Sequence, residues 1–241
     1  AALDRASRIY GKLRQYEPWF ADAKNLVDIG VVMPGRLCKS PTLIGATRML
    51  SELKMQFDFI DADSDWSCYS LLLLPDEVIL DDKLAEMVKK HLAAGKFLLA
   101  TGRSGLNAEG SAFRFAKEWG VKYMGECKYA PAFFRLTGEF ATRVPDMPLS
   151  TNTNGLNTEA LPGSKVVGKV VAPYYNKHWD GVYSYFYTPP SQDTEFPFVV
   201  LNSQCAYCAF PLFEGYYNRP RSNRGRCCRS CWSICSRNRC W

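Results

Sequence analysis

The fold is decided by the stretch Tyr69-Ser-Leu-Leu-Leu-Leu-Pro75, in which four consecutive leucines precede a proline. A run that is apolar at every position is typical of a strand that is buried on both faces, as central parallel strands are. Proline then ends the strand, because it has no N–H to donate to a neighbouring strand. We therefore predict a central strand of a parallel sheet that is covered on both faces.

The sequence on either side of this strand alternates between short apolar runs and helical spacing. The patterns predict strands at 26–33, 57–61 and 96–101, and helices that begin at Pro41, begin at Asp81 or Asp82, and span 110–119. Ser40 and Asp81 are candidate N-caps, and Gly95 is a candidate C-cap. Repeated strand–helix alternation forms βαβ units with right-handed crossovers. Residues 24–125 are therefore predicted to form a doubly wound, mostly parallel α/β sheet.

After about residue 130 the pattern changes to strands separated by turn residues. Strand-like segments are 132–136, 164–171, 181–187, 196–201 and 204–213. This half is predicted to be a strand-rich, antiparallel C-terminal extension of the same domain.

Composition divides the chain into a body and a tail. The chain has 241 residues and is 47% hydrophobic, which is enough for a large core. Its net charge of +6 comes from seven arginines in residues 218–241, and without them the balance is 23 basic against 24 acidic residues. A body this close to neutral predicts no nucleic-acid partner.

No apolar run is long enough to predict a membrane span, and no cofactor is predicted.

The N-terminal segment has the spacing of a helix and carries large apolar side chains near its end. Trp19 and Phe20 need a surface to pack against, and the simpler expectation is the core of this chain. Residues 1–13 have no apolar signal-peptide region and no initiator methionine, so we expect a piece of a longer protein.

The turn after the fourth strand, Thr101-Gly-Arg-Ser-Gly105, suggests a strand-end site. Ser104 lies between glycines, as the serine of a nucleophile elbow does, but Leu106 stands where that motif requires glycine. His178 is the candidate base for Ser104, whereas His91 lies on the apolar stripe of a helix. The alternative interpretation is a tight turn at Gly102 and Gly105, with Ser104 capping the following segment.

Two further clusters have a functional and a structural interpretation. The aromatic residues Trp179, Tyr183 and Tyr185 are suited to stacking on a sugar ring, although a packed sheet face is the simpler interpretation. Four aspartates in and after the second strand suggest a cation site or, more simply, a solvated loop: Asp58, Asp61, Asp63 and Asp65.

The cysteines give a third pattern. Cys205 and Cys208, followed after nineteen residues by Cys228 and Cys231, have the spacing of a four-cysteine zinc site. The first pair lies in an apolar strand-like segment, and the second pair lies in the tail. Fifteen of the 24 tail residues are Arg, Cys, Trp or Gly, whose codons all have G at the second position. The favoured hypothesis is therefore a frame-shifted, non-native tail at 218–241, without a metal site.

The body resembles a known family, the β-galactosidase trimerisation-like domain of bacterial glycoside hydrolases. The resemblance covers residues 1–217 and rests on several stretches: Asp28-Ile-Gly-Val-Val32, Leu73-Leu-Pro-Asp76, Ala94–Gly102, Asn154–Pro162, Pro173–Trp179 and Ala209-Phe-Pro-Leu-Phe213. It implies a flavodoxin-like, class I glutamine-amidotransferase-like fold. In such amidotransferases a cysteine nucleophile follows the fourth strand, where this chain has Arg103 and Ser104.

This resemblance implies an accessory domain without catalysis of its own, which follows a catalytic (β/α)8 barrel. Residues 1–24 would then be a linker helix from the barrel, 25–217 the accessory domain, and 218–241 the anomalous tail. The implied partners are that barrel and a homo-oligomer such as a trimer, with carbohydrate as a further ligand. The implied location of the parent protein is periplasmic or secreted.

Two functional hypotheses remain, an assembly domain and a stand-alone hydrolase or amidotransferase-like enzyme that uses Ser104 and His178. An apolar surface for assembly is expected from Trp19, Phe20, Trp66, Tyr69, Trp179 and Tyr183.

Overall fold

The computed structural model describes residues 2–35, 40–151, 153–177 and 188–218. Its five helices are α1 (Ala2–Phe20), α2 (Pro41–Glu52), α3 (Asp82–Ala93), α4 (Ala116–Trp119) and α5 (Leu212–Asn218). The first strands are β1 (Ile29–Val32), β2 (Phe57–Ile60), β3 (Leu71–Leu74), β4 (Phe97–Thr101), β5 (Val121–Glu126) and β6 (Ala132–Leu136). The others are β7 (Leu149–Thr151), β8 (Leu156–Ala160), β9 (Lys165–Pro173), β10 (Pro190–Asn202) and β11 (Cys205–Cys208), and Gly138–Arg143 form a 3-10 helix.

Nine strands form one sheet in the order β2-β1-β3-β4-β11-β10-β9-β6-β7. The first five strands are mutually parallel, and the next pairings, from β11–β10 to β6–β7, are antiparallel. The predicted parallel sheet with a strand-rich antiparallel extension is therefore confirmed. Strand β11 joins the two parts, because Ala206 pairs with Leu99 of β4 and also with Leu201 of β10.

The four leucines of β3 are buried on both faces of the sheet, as their sequence predicts. Leu72 and Leu74 belong to one apolar cluster, together with Val88 of α3. Leu71 and Leu73 belong to the other cluster, which includes residues of α2 and α5. The alternation follows from the two-residue repeat of a strand, so helices cover both sides of a doubly wound sheet.

The helix boundaries follow the predicted capping residues. The carboxylate of Asp81 accepts a hydrogen bond from the backbone N–H of Leu84 at 2.8 Å, which caps α3. Gly95 follows that helix with a φ of +74°, the left-handed conformation that favours glycine. Ser40 occupies the N-cap position of α2, but its side chain makes no capping hydrogen bond.

The predicted helix at 110–119 is wrong over most of its length, since only α4 at 116–119 is helical. The preceding segment forms a turn in which the Asn107 side-chain oxygen accepts from the backbone N–H groups of Ser111 and Ala112. Such local side-chain bonds compete with helix formation. Leu106 and Phe113 then form an isolated antiparallel bridge.

Three strands were not predicted, and one predicted strand is too long. Strands β5 and β8 form a separate antiparallel pair, and β7 lies at the edge of the main sheet. The predicted strand at 204–213 ends at Cys208, and α5 begins at Leu212 after Pro211. The predicted strand at 181–187 lies outside the described residues.

None of the helices in the described residues has an apolar stretch of the length that a membrane span requires.

Candidate functional site

The carboxyl ends of β3 and β4 meet at a buried carboxylate, that of Asp76. This residue has a φ of +48°, which is unusual for a residue with a side chain. Its Oδ1 accepts a hydrogen bond from the Thr101 hydroxyl at 2.6 Å, and the backbone N–H of Asp76 donates to the hydroxyl oxygen of Thr101 at 2.9 Å. The backbone carbonyl of Asp76 accepts from the N–H of Arg103 at 2.7 Å. Asp76 therefore ties together the carboxyl ends of β3 and β4.

The same carboxylate caps a helix that begins 136 residues later in the chain. Oδ1 accepts from the N–H of Leu212 at 2.9 Å and from that of Phe213 at 3.4 Å, and Oδ2 accepts from Glu214 at 2.7 Å. These are the unpaired amides at the start of α5. Burial raises the pKa of Asp76 to about 6, although these hydrogen bonds favour the charged form. Asp76 thus has a structural role that the sequence did not reveal, since its partners lie far away in the chain.

Ser104 is buried behind this strand end. Its hydroxyl oxygen accepts a hydrogen bond from the backbone N–H of Val78 at 3.1 Å, which fixes the loop after β3. Gly102 and Gly105 have φ values of +58° and +82°, so the expected tight turn is present. Ser104 does not cap the following segment as expected, because its hydroxyl bonds to Val78 in the β3–α3 loop instead. His178, the proposed partner of Ser104, lies outside the described residues.

The exposed rim of this strand end carries an ion pair. Arg103 lies 2.8 Å from the Glu126 carboxylate of β5, and both side chains are about half exposed. Glu126 also lies 3.5 Å from the hydroxyl of Tyr123. Exposed ion pairs of this kind contribute little to stability. The loops at this strand end are therefore held mainly by the buried hydrogen bonds of Asp76 and Ser104 rather than by this ion pair.

The metal sites that the sequence left as alternatives gain no support from the described residues. Cys205 and Cys208 are buried in β11, and burial raises the pKa of Cys205 to about 12, which disfavours a thiolate ligand. Their predicted partners Cys228 and Cys231 lie outside the described residues. Among the residues that the structure does describe, no three His, Cys, Asp or Glu side chains are grouped to hold a metal ion.

The aspartates after β2 bond within their own loop. Asp61 accepts from the hydroxyl of Ser64 at 2.7 Å, and Asp65 accepts from the hydroxyl of Ser67 at 2.8 Å. Asp63 pairs with Lys83 of α3. These contacts agree with a solvated loop. The aromatic residues Trp179, Tyr183 and Tyr185, which were considered for sugar stacking, lie outside the described residues.

The α1 helix carries an unburied apolar surface. None of its residues is buried, and Trp19 and Phe20 are 78% and 66% exposed. The expectation that they pack on the core of this chain is therefore wrong. We call the following residues the α1 apolar surface: Leu3, Ile9, Tyr10, Leu13, Tyr16, Trp19 and Phe20. Trp66 and Tyr69, which were expected to contribute to such a surface, are instead buried in the core.

Comparison with known proteins places this fold among domains of glycosidases. Residues 48–116 match the family model described as the β-galactosidase trimerisation domain. The α-L-fucosidase isoenzyme 2 from Paenibacillus thiaminolyticus is 27% identical and superposes with a TM-score of 0.85, over 94% of this chain and 35% of its own. The β-galactosidase from Rahnella sp. R3 is 15% identical, with a TM-score of 0.65 over 90% of this chain and 34% of its own. Among curated proteins, none matches the sequence significantly.

The fold is also found outside glycosidases. PurLQS from Thermotoga maritima is 11% identical and superposes with a TM-score of 0.56, over 87% of this chain and 99% of its own. The predicted amidotransferase-like fold class is thereby confirmed. This chain spans about a third of the length of the glycosidases that it matches. The resemblance to the β-galactosidase trimerisation domain that the sequence indicated is confirmed by the family match over residues 48–116.

Proposed function

We propose that this chain is the assembly domain of a larger glycoside hydrolase, which holds the catalytic domain of its own polypeptide within an oligomer. The observation that carries the proposal is the α1 apolar surface, whose seven side chains are all exposed in the described chain. Large apolar groups on one exposed helix are typical of an interface. The family match and the partial coverage of longer glycosidases support the same conclusion.

In this proposal, residues 1–24 are the helix that connects the catalytic barrel to the accessory domain at 25–217. Trp19 and Phe20 then pack on the barrel or on a second subunit. Their rings are suited to this role because aromatic side chains bury a large area with little loss of conformational entropy. A homotrimer is the expected oligomer, and the substrate of the parent enzyme is expected to be a carbohydrate.

The test is the self-association of the 241-residue chain, which exposes this surface in the absence of a barrel. We expect association at micromolar concentration in light scattering and sedimentation velocity. The double substitution Trp19→Ser and Phe20→Ser should weaken it at least about tenfold, since each buried aromatic anchor contributes on the order of 2 kcal/mol. A matched control is Ile79→Ser with Met124→Ser, which removes two exposed apolar side chains elsewhere.

A monomeric wild type at high concentration, or equal weakening by the control, would contradict the proposal. So would a crystal structure in which both aromatic rings pack on the core of the same chain.

The alternative enzyme would use Ser104 as its nucleophile, and the observed contacts disfavour it. The hydroxyl is buried and already accepts from Val78 N–H, whereas a nucleophile must reach its substrate. We therefore expect no turnover of nitrophenyl glycosides, nitrophenyl esters or glutamine by this chain. Turnover that is lost in both Ser104→Ala and His178→Ala would establish the alternative instead.

A further inference from the structure

Strand β2 is an end strand of the nine-stranded sheet, and within the described residues no strand pairs with its outer edge. It pairs with β1 in one continuous parallel register. The N–H of Met33 donates to the carbonyl of Ile60 at 2.9 Å, so the backbone groups of Ile60 point toward β1. Since these groups alternate in direction along a strand, those of Asp58 also point toward β1, whereas those of Phe57 and Phe59 point outward.

The two edges of the sheet differ in how they are protected. The opposite edge strand, β7, has only three residues and directly follows Pro148, which has no N–H to donate. Short strands, prolines, lysines and bulges are the usual features that keep edge strands from pairing. Strand β2 contains no proline or lysine, and its register has no bulge. Its one charged side chain, Asp58, accepts from the Tyr69 hydroxyl at 3.0 Å, so the outer edge is open to a further strand.

The side chains along this edge alternate between an apolar and a polar side. The rings of Phe57 and Phe59 contact each other with centroids 5.5 Å apart, and Phe59 is 39% exposed. Met55, two residues before Phe57, packs with it at the margin of the apolar cluster that includes α2. Gln56 and Asp58 lie on the other side of the strand, where Gln56 is exposed and Asp58 is half-buried. A partner strand would therefore meet apolar groups on one side and polar groups on the other.

The same segment of a second copy, in antiparallel orientation, fits both sides. With Phe57 opposite the second copy's Phe57, these two residues exchange N–H and carbonyl hydrogen bonds, and the N–H of Phe59 meets the carbonyl of Met55. Gln56 then lies opposite Asp58, so that its amide can donate to the carboxylate. The register centred on Asp58 would instead place two carboxylates opposite each other, which is unfavourable. The polar pair therefore selects the register centred on Phe57.

We propose that β2 pairs antiparallel with β2 of a second copy of this chain, centred on Phe57, so that the two nine-stranded sheets become continuous. Met55, Phe57 and Phe59 of both copies then form one cross-strand apolar cluster. The contact has a two-fold axis, and each copy presents the same surface. Because the pairing of two short strands buries a small area, we expect a dissociation constant on the order of 100 μM. The inference is independent of the α1 apolar surface and does not rest on the proposed function.

The test is amide hydrogen exchange of the 241-residue chain, resolved to single residues, at about 1 mM and about 20 μM, on either side of that dissociation constant. The amides of Phe57 and Phe59 should exchange about fivefold more slowly at the higher concentration, because most chains are then paired. Asp58 and Ile60 are internal controls, since their N–H groups point toward β1 and should be protected equally at both concentrations. The same measurement on Trp19→Ser with Phe20→Ser separates this contact from association through α1.

Side-chain variants test the register. Gln56→Glu should weaken the concentration-dependent protection about fivefold, because a carboxylate then meets Asp58 at both symmetric positions. Adding Asp58→Asn to this variant should restore the protection, since each carboxylate again lies opposite an amide. The matched control is Gln192→Glu, which makes the same change at an exposed position of β10.

The proposal is overturned if the amides of Phe57 and Phe59 exchange at the same rate at both concentrations. It is also overturned if Gln192→Glu weakens the protection as much as Gln56→Glu, or if Asp58→Asn does not restore it. Free exchange of these amides in a chain that still associates through α1 would refute the strand pairing alone and leave the proposed function standing.

Discussion

At the residue scale, two buried titratable groups should give the protein opposite responses to pH. Burial raises the pKa of Asp76 from 3.8 to about 6, so the folded state retains a proton that the unfolded chain releases above pH 4. Raising the pH from 4 to 6 therefore lowers the free energy of unfolding through Asp76. Burial lowers the pKa of His91 from 6.5 to about 4, so acidification below pH 6.5 protonates the unfolded chain first. Lowering the pH through this window therefore destabilises the fold through His91.

Each contribution amounts to about 3 kcal/mol, because one pKa unit corresponds to about 1.4 kcal/mol. As the pH falls toward 4, the free energy of unfolding of the wild type should rise relative to that of Asp76→Asn. Over the same range it should fall relative to that of His91→Gln. Urea unfolding of the three proteins between pH 4 and pH 7 measures both differences. If neither variant differs from the wild type by a free energy of unfolding that changes with pH, then neither group titrates as its burial predicts.

At the element scale, the packing of α2 against α5 depends on a glycine. A Cβ atom added at Gly45 would lie 1.9 Å from the backbone carbonyl oxygen of Phe213, which cannot move without shifting α5. That helix is also held by Asp76 and by the hydrogen bond from the Tyr216 hydroxyl to Glu52. We expect Gly45→Ala to lower the free energy of unfolding by about 1–3 kcal/mol, the usual effect of overpacking a core.

Gly11→Ala is the matched control, because the space around Gly11 in α1 is open and alanine favours helices. This variant should be at least as stable as the wild type in the same urea titration. Equal stability of Gly45→Ala and wild type would mean that the two helices do not pack as closely as described.

At the scale of the whole molecule, the helices and strands that the structure describes all lie within residues 2–218. The sheet, both apolar clusters and α5 are formed by residues up to Asn218. We expect truncation after Asn218 to leave the melting temperature unchanged, and a chelator to have no effect on either protein. A structural zinc site contributes on the order of 10 kcal/mol to folding. A clear fall in melting temperature on truncation or chelation would therefore revive the zinc site of Cys205, Cys208, Cys228 and Cys231.

Local sequence patterns were sufficient to predict the parallel half of the sheet. Four leucines in succession define a strand buried on both faces, and capping residues such as Asp81 and Gly95 set the helix ends, because these signals act within a few residues. The resemblance to the trimerisation domain followed from similarly local stretches. The prediction of a helix at 110–119 was wrong because another local interaction prevailed. The side chain of Asn107 accepts from the backbone amide of Ser111 and so competes with helix formation.

The roles of Asp76, Ser104 and the α1 apolar surface became visible only once the folded chain was known. The Asp76 carboxylate caps α5 across 136 residues, and Ser104 holds the loop at Val78 rather than facing solvent. Helical spacing predicted α1, but whether its aromatic rings were buried depended on contacts with distant elements. Hydrogen bonds and burial between distant residues leave no periodic signal in the chain. The physical reason is that burial is a property of the packed molecule, whereas periodicity reports only the local backbone.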